Sequence, residues 1–234
     1  MKARWIAIVG RKGGSGKTAL ALGLAAHYAR AGTAVTLVDL DPQGSASVAL
    51  GADATGAELA SALTMSPDAF LAFEGKYINE KILLISGGPE LERLVNTKPL
   101  RQALQGDEAQ VVLLDCPPGH ADLDRLALQA ADVVLACCEP HRLGIAGAAR
   151  VLDEANARRP RPRCALVLGR MDERRGLDRA APDLLAGAFA VPVLTVRQDS
   201  HLAAALNAGS LPPGHGRAAE DLEAVAAWID KGDE

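Results

Sequence analysis

The sequence predicts a three-layer, doubly wound α/β fold with a mostly parallel sheet, on three observations. Short aliphatic, β-branched runs alternate with segments of helical period along nearly the whole chain. The first run passes through a glycine-rich loop straight into a helical segment. Aromatic residues are only 3% of the 234 while hydrophobic ones are 49%, so the core has to be layered from small aliphatic side chains. At this length one domain, residues 1–234, is expected to bury a full core.

In chain order the apolar runs are Trp5–Val9, Ala34–Val38, Ile82–Ile85, Val111–Leu114, Val133–Cys137, Ala165–Leu168 and Val191–Val196. Each is short and continuous, as a parallel strand covered on both faces must be. Helical segments fall between them at Lys17–Ala31, Glu90–Leu104, Ala121–Ala130, Gly144–Ala157, Leu177–Ala188, His201–Ala208 and Ala218–Ile229. Crossovers of this kind return every strand in one direction and put helices on both faces of the sheet. Linker-like composition is confined to Arg158–Arg163 and Leu211–Gly216, neither of which reads as a domain boundary. From Asp53 to Tyr77 the periodicity is weak and Pro67 interrupts it, so no element is assigned there.

A net charge of −4 gives no whole-chain argument for nucleic acid. Its distribution is uneven: between Arg158 and Arg197 nine arginines stand against four acids, a local excess of five. No apolar run approaches the length that spans a bilayer, and Met1–Trp5 is too short for a signal peptide, so a cytoplasmic protein is expected. Cys116, Cys137, Cys138 and Cys164 form neither a C-x-x-C pair nor a secreted framework and read as buried, reduced thiols.

The chemistry-bearing signal is Gly10-Arg11-Lys12-Gly13-Gly14-Ser15-Gly16-Lys17-Thr18, between the first strand and the first helix. Backbone N–H groups in such a loop, with a helix N-terminus behind them, cradle phosphates. The glycines let the backbone wrap closely, Lys17 supplies charge to the β and γ oxygens, and Thr18 offers a hydroxyl to Mg2+. ATP and Mg2+ are therefore the expected cofactors, with Lys12, Gly13, Gly14, Ser15, Gly16, Lys17, Thr18 and Ala19 as the phosphate-side contacts. The common pattern G-x-x-x-x-G-K-[ST] would need glycine where Arg11 stands; the fit is to K-G-G-x-G-K-T. The chain has seven lysines, and two of them occupy the fixed places of that string.

Two more strands end in acids at the carboxyl edge, where open α/β sheets bind ligands. Asp39 and Asp41, in Val38-Asp39-Leu40-Asp41-Pro42-Gln43-Gly44-Ser45, point the same way if the chain stays extended. Val111–Leu114 delivers Asp115, followed by Cys116-Pro117-Pro118-Gly119, in the manner of a Walker B strand. Asp115 is expected to hold Mg2+ through a water, in keeping with the oxygen chemistry of that ion.

The K-G-G-S-G-K-T string resembles the deviant Walker A motif of the ParA/MinD ATPases, P-loop proteins whose hallmark is an early extra lysine, here Lys12. The resemblance implies that Lys12 reaches the nucleotide of a second copy, so that ATP becomes part of a homodimer interface. It implies catalytic roles for Lys12, Lys17 and Asp41. The segment from Asp39 is similar to the D-x-D-P-Q-G switch of ParA proteins, which implies that Asp41 orients or activates the attacking water and that Asp39 joins Thr18 and Asp115 around the metal. ParA-like chains carry D-C-P-P-S where Gly119 and His120 stand here, a departure in the second switch, and His120 reads as a solvent-facing loop residue.

Leu166–Leu177 is similar to the stretch that completes the adenine pocket in that family, implying base contacts at Arg170 and Met171, while Arg174 stands at the family's DNA-contacting arginine. Val196–Gly209 resembles a late ParA segment, with Arg197 as a second DNA contact and Ala204 where a glutamate is usual. Covering Ile6 to Ala227, the resemblance implies a small ParA-type partition or positioning ATPase in the bacterial cytoplasm. Non-specific double-stranded DNA of the nucleoid and a ParB-like centromere-binding protein or cargo adaptor are the implied partners. The early loop leaves no expected N-terminal DNA-binding extension. Alternatives from the same superfamily fit less well. A MinD-like membrane-cycling regulator would carry a basic terminal helix, whereas Ala218–Glu234 is amphipathic and acidic, so no membrane partner is expected. An iron–sulfur carrier ATPase would need cysteines to bridge a cluster between protomers.

Overall fold

The computed structural model describes residues 3–64, 75–94, 97–104 and 108–232. Its strands are β1 (Arg4–Val9), β2 (Val35–Asp39), β3 (Lys76–Asn79), β4 (Ile82–Ile85), β5 (Val111–Asp115), β6 (Val133–Cys138), β7 (Arg163–Met171) and β8 (Val193–Arg197). They form one sheet in the order β3-β4-β2-β5-β1-β6-β7-β8, parallel at every junction except β3 with β4. The helices are α1 (Lys17–Arg30), α2 (Ser45–Ala49), α3 (Ala57–Thr64), α4 (Leu100–Ala103), α5 (Ala121–Ala130), α6 (Arg142–Asn156), α7 (Gly176–Ala186), α8 (Ser200–Asn207) and α9 (Arg217–Asp230). The mostly parallel, doubly wound class read from the sequence is the one observed.

Alternation along each strand divides the core in two. Trp5, Ala7 and Val9 of β1 face a layer built from Leu123 and Ala127 of α5, Val151 of α6 and Leu185 of α7. Ile6 and Ile8 face the other layer, with Leu20 and Leu24 of α1 and Leu222, Val225 and Ile229 of α9. Gly23 of α1 stands against Leu222 of α9, and a Cβ at that position would run into the leucine. The close approach of these two helices depends on the small-residue composition noted above. All four cysteines are free and buried.

One expectation needs correction, and one stretch left open gains its elements. Glu90–Leu104 is not one helix: a 3-10 turn, Pro89–Arg93, and the short α4 take its place. Pro99 is the reason, because it lacks an N–H and forces Lys98 out of the helical region, so a helix can only restart after it. In the stretch from Asp53 to Tyr77, α3 and the start of β3 are present, and residues 65–74 lie outside the described residues. β3 has no apolar run to announce it, since Lys76, Tyr77 and Asn79 are exposed. A tight reversal forms it: Asn79 Oδ1 accepts from the N–H groups of Lys81 at 2.8 Å and Ile82 at 2.9 Å. Lys76 Nζ donates to the Gly51 carbonyl at 2.6 Å.

β8 hands over to α8 through Asp199, whose carboxylate accepts from His201 N (2.7 Å) and Leu202 N (3.2 Å), and also from Ala218 N (3.2 Å) in the first turn of α9. One side chain therefore caps two helices. Asp199→Ala is expected to lower unfolding stability by about 2 kcal/mol, the upper range for losing a capping carboxylate. Urea denaturation measures this, and a loss no larger than about 0.3 kcal/mol, that of a neutral surface change, would show that water replaces both caps.

Candidate functional site

β1, β2, β5, β6 and β7 all run parallel, and the segments leaving their carboxyl ends meet at one edge of the sheet. The loop after β1 turns into α1 at Gly16, whose φ of 87° is a left-handed conformation that glycine takes without strain. No side chain caps α1 and no acid stands in its first turn, so the N–H groups and positive end of the helix face the loop uncompensated. The loop can seat against β7 because residue 169 is glycine; a Cβ there would collide with the Ser15 carbonyl. Lys17 is buried and its Nζ reaches back to the Lys12 carbonyl at 3.4 Å. Ser15 Oγ is buried with no hydrogen-bond partner in the described protein.

Beside this loop stand two carboxylates in register, Asp39 of β2 opposite Asp115 of β5, both 0% exposed. Asp39 is fully engaged. Its Oδ1 accepts from Asp41 N (3.0 Å) and its Oδ2 from Ser47 N (2.9 Å) and Ser47 Oγ (2.7 Å), tying β2 to α2. Asp115 is the opposite case, because neither oxygen has a hydrogen-bond partner among the described residues. Burial, then Asp39, pushes its carboxyl up to about 8, with Thr18 and Lys17 near enough to offset part of that rise. Asp41 is buried and shapes the turn after β2 by accepting from Gln43 N at 2.9 Å.

Lys12 is exposed and lies over the segment that follows β6, with Nζ 3.2 Å from His141 Nε2 and 3.9 Å from Glu139 Oε2. His141 Nδ1 accepts from Gly144 N at 3.0 Å and so caps α6, which places the ring proton on Nε2, 3.3 Å from Glu139. Arg170 completes the cluster, 3.5 Å from Glu139 and donating to the Gly14 carbonyl at 3.2 Å. Its φ of 57° is the only left-handed value at a non-glycine residue among those described. Between the loop and the ends of β7 and β8 opens a cleft of about 640 Å³, lined by Gly16, Ala19, Arg170, Arg174 and Arg197 among others. Met171 is buried and lines a smaller neighbouring hollow.

The two arginines expected to contact DNA differ. Among the described residues Arg174 is held by Asp172, at 2.8 and 2.9 Å, and its side chain is 88% exposed. Arg197 is turned inward onto α9, paired with Asp221 at 2.8 Å and Glu220 at 2.9 Å, with 23% of its side chain exposed. His120 caps α5, accepting from Leu123 N at 3.4 Å, instead of facing solvent freely. Sequence reasoning missed Ser47, Glu139 and His141. Glu139 and His141 follow directly on a parallel strand that ends at the ligand edge, which was the available signal.

The raised carboxyl of Asp115 has a consequence for the metal-free protein. The folded state keeps a proton on Asp115 that the unfolded chain releases near pH ~4, so stability is full below that value and falls as pH rises through about 8. Asp39, also raised chiefly by burial, works in the same direction. Asp115→Asn is expected to flatten this decline and to raise the melting temperature near pH 8, as read by calorimetry without metal. Identical pH profiles for parent and variant would refute the assignment.

Residues 3–161 match the AAA_31 family, described as an AAA domain. The chain is 35% identical to the chromosome-partitioning ATPase Soj of Thermus thermophilus over 170 residues, covering 67% of this chain and 64% of Soj. It spans between half and two thirds of the first curated relatives it matches. Among solved structures, the ATP complex of a point variant of McdA from Cyanothece superposes with a TM-score of 0.82 at 17% identity, covering 99% of this chain and 98% of that one. The septum site-determining protein MinD from Pyrococcus horikoshii, complexed with Mg-ADP, gives 0.77 at 20% identity, covering 98% and 97%. With the deviant loop, the acidic strand ends and the shared fold in place, the chain belongs to the AAA_31 family and is similar to the Soj and ParA partition proteins, on the fold that MinD also has.

Proposed function

We propose that this chain acts as one P-loop domain that binds ATP with Mg2+, forms a homodimer around the nucleotide and hydrolyses it to ADP and phosphate. In the ATP state the dimer binds double-stranded DNA without sequence preference, in the cytoplasm at the nucleoid, and segregates DNA or positions a protein cargo. A ParB-like or adaptor partner stimulates hydrolysis and release.

One observation carries the nucleotide part: Asp115 is a buried carboxyl with neither oxygen bonded among the described residues, beside an uncapped helix N-terminus. A desolvated carboxyl in that state stays neutral only by keeping a proton, which a bound cation replaces, and the free N–H groups need an anion. A magnesium nucleotide supplies both, and the ATP and Mg-ADP complexes of proteins with this fold support that choice. The ion neutralises charge on the phosphate oxygens. Thr18 and Asp115 hold it, and Asp39 braces the Asp115 side of the site through its bonds to Asp41 and Ser47. Lys17 lies against the β and γ oxygens, Asp41 orients the attacking water, and the exposed Lys12 leaves its loose pairing with Glu139 to cross to a second copy. The cleft beside Ala19, Arg170 and Arg174 receives the base.

For the DNA part, the local excess of arginine supports phosphate contacts, which carry affinity without sequence information. Arg174 is the stronger candidate because its guanidinium is open to solvent, whereas Arg197 would first have to leave Asp221 and Glu220.

Lys17→Ala is expected to abolish ATP binding, while Lys12→Ala binds ATP but neither dimerises nor hydrolyses it. Asp41→Ala is expected to slow hydrolysis by about 10²–10⁴ and to accumulate the ATP dimer. Calorimetry, sedimentation and phosphate release separate the three, and an ATP dimer formed by Lys12→Ala would rule out the shared-nucleotide interface. Arg174→Glu should weaken ATP-dependent binding to random-sequence duplex and lower the slope of log affinity against log salt by about one. Parental affinity and slope would remove Arg174 from the DNA surface.

A further inference from the structure

Arg11 turns away from its neighbour Lys12. Its guanidinium enters a slot between α5 and α6, with Nη1 3.0 Å from Asp124 Oδ2 of α5 and Nη2 paired with Glu154 of α6. The slot exists because α6 carries Gly147, where a Cβ would approach Arg11 Cβ to 3.1 Å. Asp124 is wholly buried, and its second oxygen, Oδ1, has no hydrogen-bond partner in the described protein. Burial pushes the Asp124 carboxyl up to about 6, with Arg11 and then Lys17 holding it down and Glu154 opposing them. The backbone of residue 11 also passes close to Gly119, its carbonyl 3.2 Å from where a Cβ there would stand, in the segment leading from Asp115 into α5.

An arginine bridge to a wholly buried carboxylate seldom adds stability over an apolar pair of the same volume, because desolvating the acid costs as much as the attraction returns. What such a bridge does provide is geometry. Here one end is a residue of the phosphate loop itself, and the other ends lie on two separate helices. Arg11 meets α6 near its C-terminal end at Glu154, and Lys12 lies beside its N-terminal cap, where Glu139 stands 3.9 Å from Nζ. Consecutive loop residues are thus registered against a single rigid helix.

We propose that Arg11 is a positioning residue: its bridge to Asp124 and Glu154 fixes the phosphate loop to α5 and α6, aims Lys12 outward, and couples the loop's place to that of the Asp115 segment. The effect on turnover rests on the function proposed above; the bridge itself does not.

The test uses the full chain as parent, Asp124→Asn, and the double variant Arg11→Gln with Asp124→Asn. Arg11→Gln alone strands a buried carboxylate and is expected to lose stability, so the double variant, which removes both charges, separates positioning from folding. It should melt near the parental temperature, yet amides of residues 10–16 should exchange roughly tenfold faster without nucleotide, and ATP turnover should fall by a similar factor at unchanged ATP affinity. Asp124→Asn, which leaves Arg11 paired with Glu154, should show a smaller change of the same sign. Arg11→Lys should recover part of both readouts. Parental exchange across residues 10–16 in the double variant overturns the proposal, as does faster exchange with unchanged turnover in an active parent. Faster exchange in a protein whose parent shows no ATP turnover leaves the bridge standing and sinks the hydrolysis reading instead.

Discussion

Two acids side by side at the edge of a dry sheet set the terms for everything around them. Parallel pairing of β2 with β5 brings Asp39 opposite Asp115, and like charges so buried cannot both remain ionised without compensation. The fold answers for one of them. α2 begins where it does so that Ser47 can present its N–H and hydroxyl to Asp39, and the hydroxyl in turn accepts from Gly87 N at 3.0 Å. Asp115 receives no such partner, and Lys17, buried beside it, offsets the charge only in part. The protein thus holds an electrostatic deficit at one point, flanked by N–H groups that need an anion, and the site is shaped by that deficit more than by any cavity.

The remaining charges at the edge are organised by a second rule, that each basic group at the mouth has an acid to hold it. Glu139 serves Lys12, His141 and Arg170 together, while Asp124 and Glu154 hold Arg11. Exposed pairs of the first kind are worth little in stability and are readily exchanged for a better anion. The bond from Arg11 to the wholly buried Asp124 is not. Mobile and fixed cations therefore alternate along a single loop, at residues 12 and 11.

Much of this was legible in the sequence, for a physical reason. Strands covered on both faces must be apolar without interruption, and β1, β2, β5, β6 and β7 announced themselves in that way. Lys12, Lys17, Asp39, Asp41 and Asp115 stand out because they interrupt or end such runs at fixed spacing. What escaped was set by partners distant in the chain. Nothing near Glu139 says that it will meet residue 12, and Arg197 looks like a free surface charge until α9, beginning at Arg217, brings Asp221 against it. The helix assigned across Glu90–Leu104 failed because apolar periodicity outweighed a single proline.

β3 is polar, brief and antiparallel, joined to β4 by Glu80 and Lys81 alone. A parallel strand at that margin would need a helical crossover of a dozen or more residues, and until it closed β4 would show a row of open N–H and C=O groups to any other chain. A hairpin forms locally, on the order of microseconds. The edge thereby passes from β4 to β3, and a four-residue strand that presents the exposed Lys76 is a poor template for pairing with another chain.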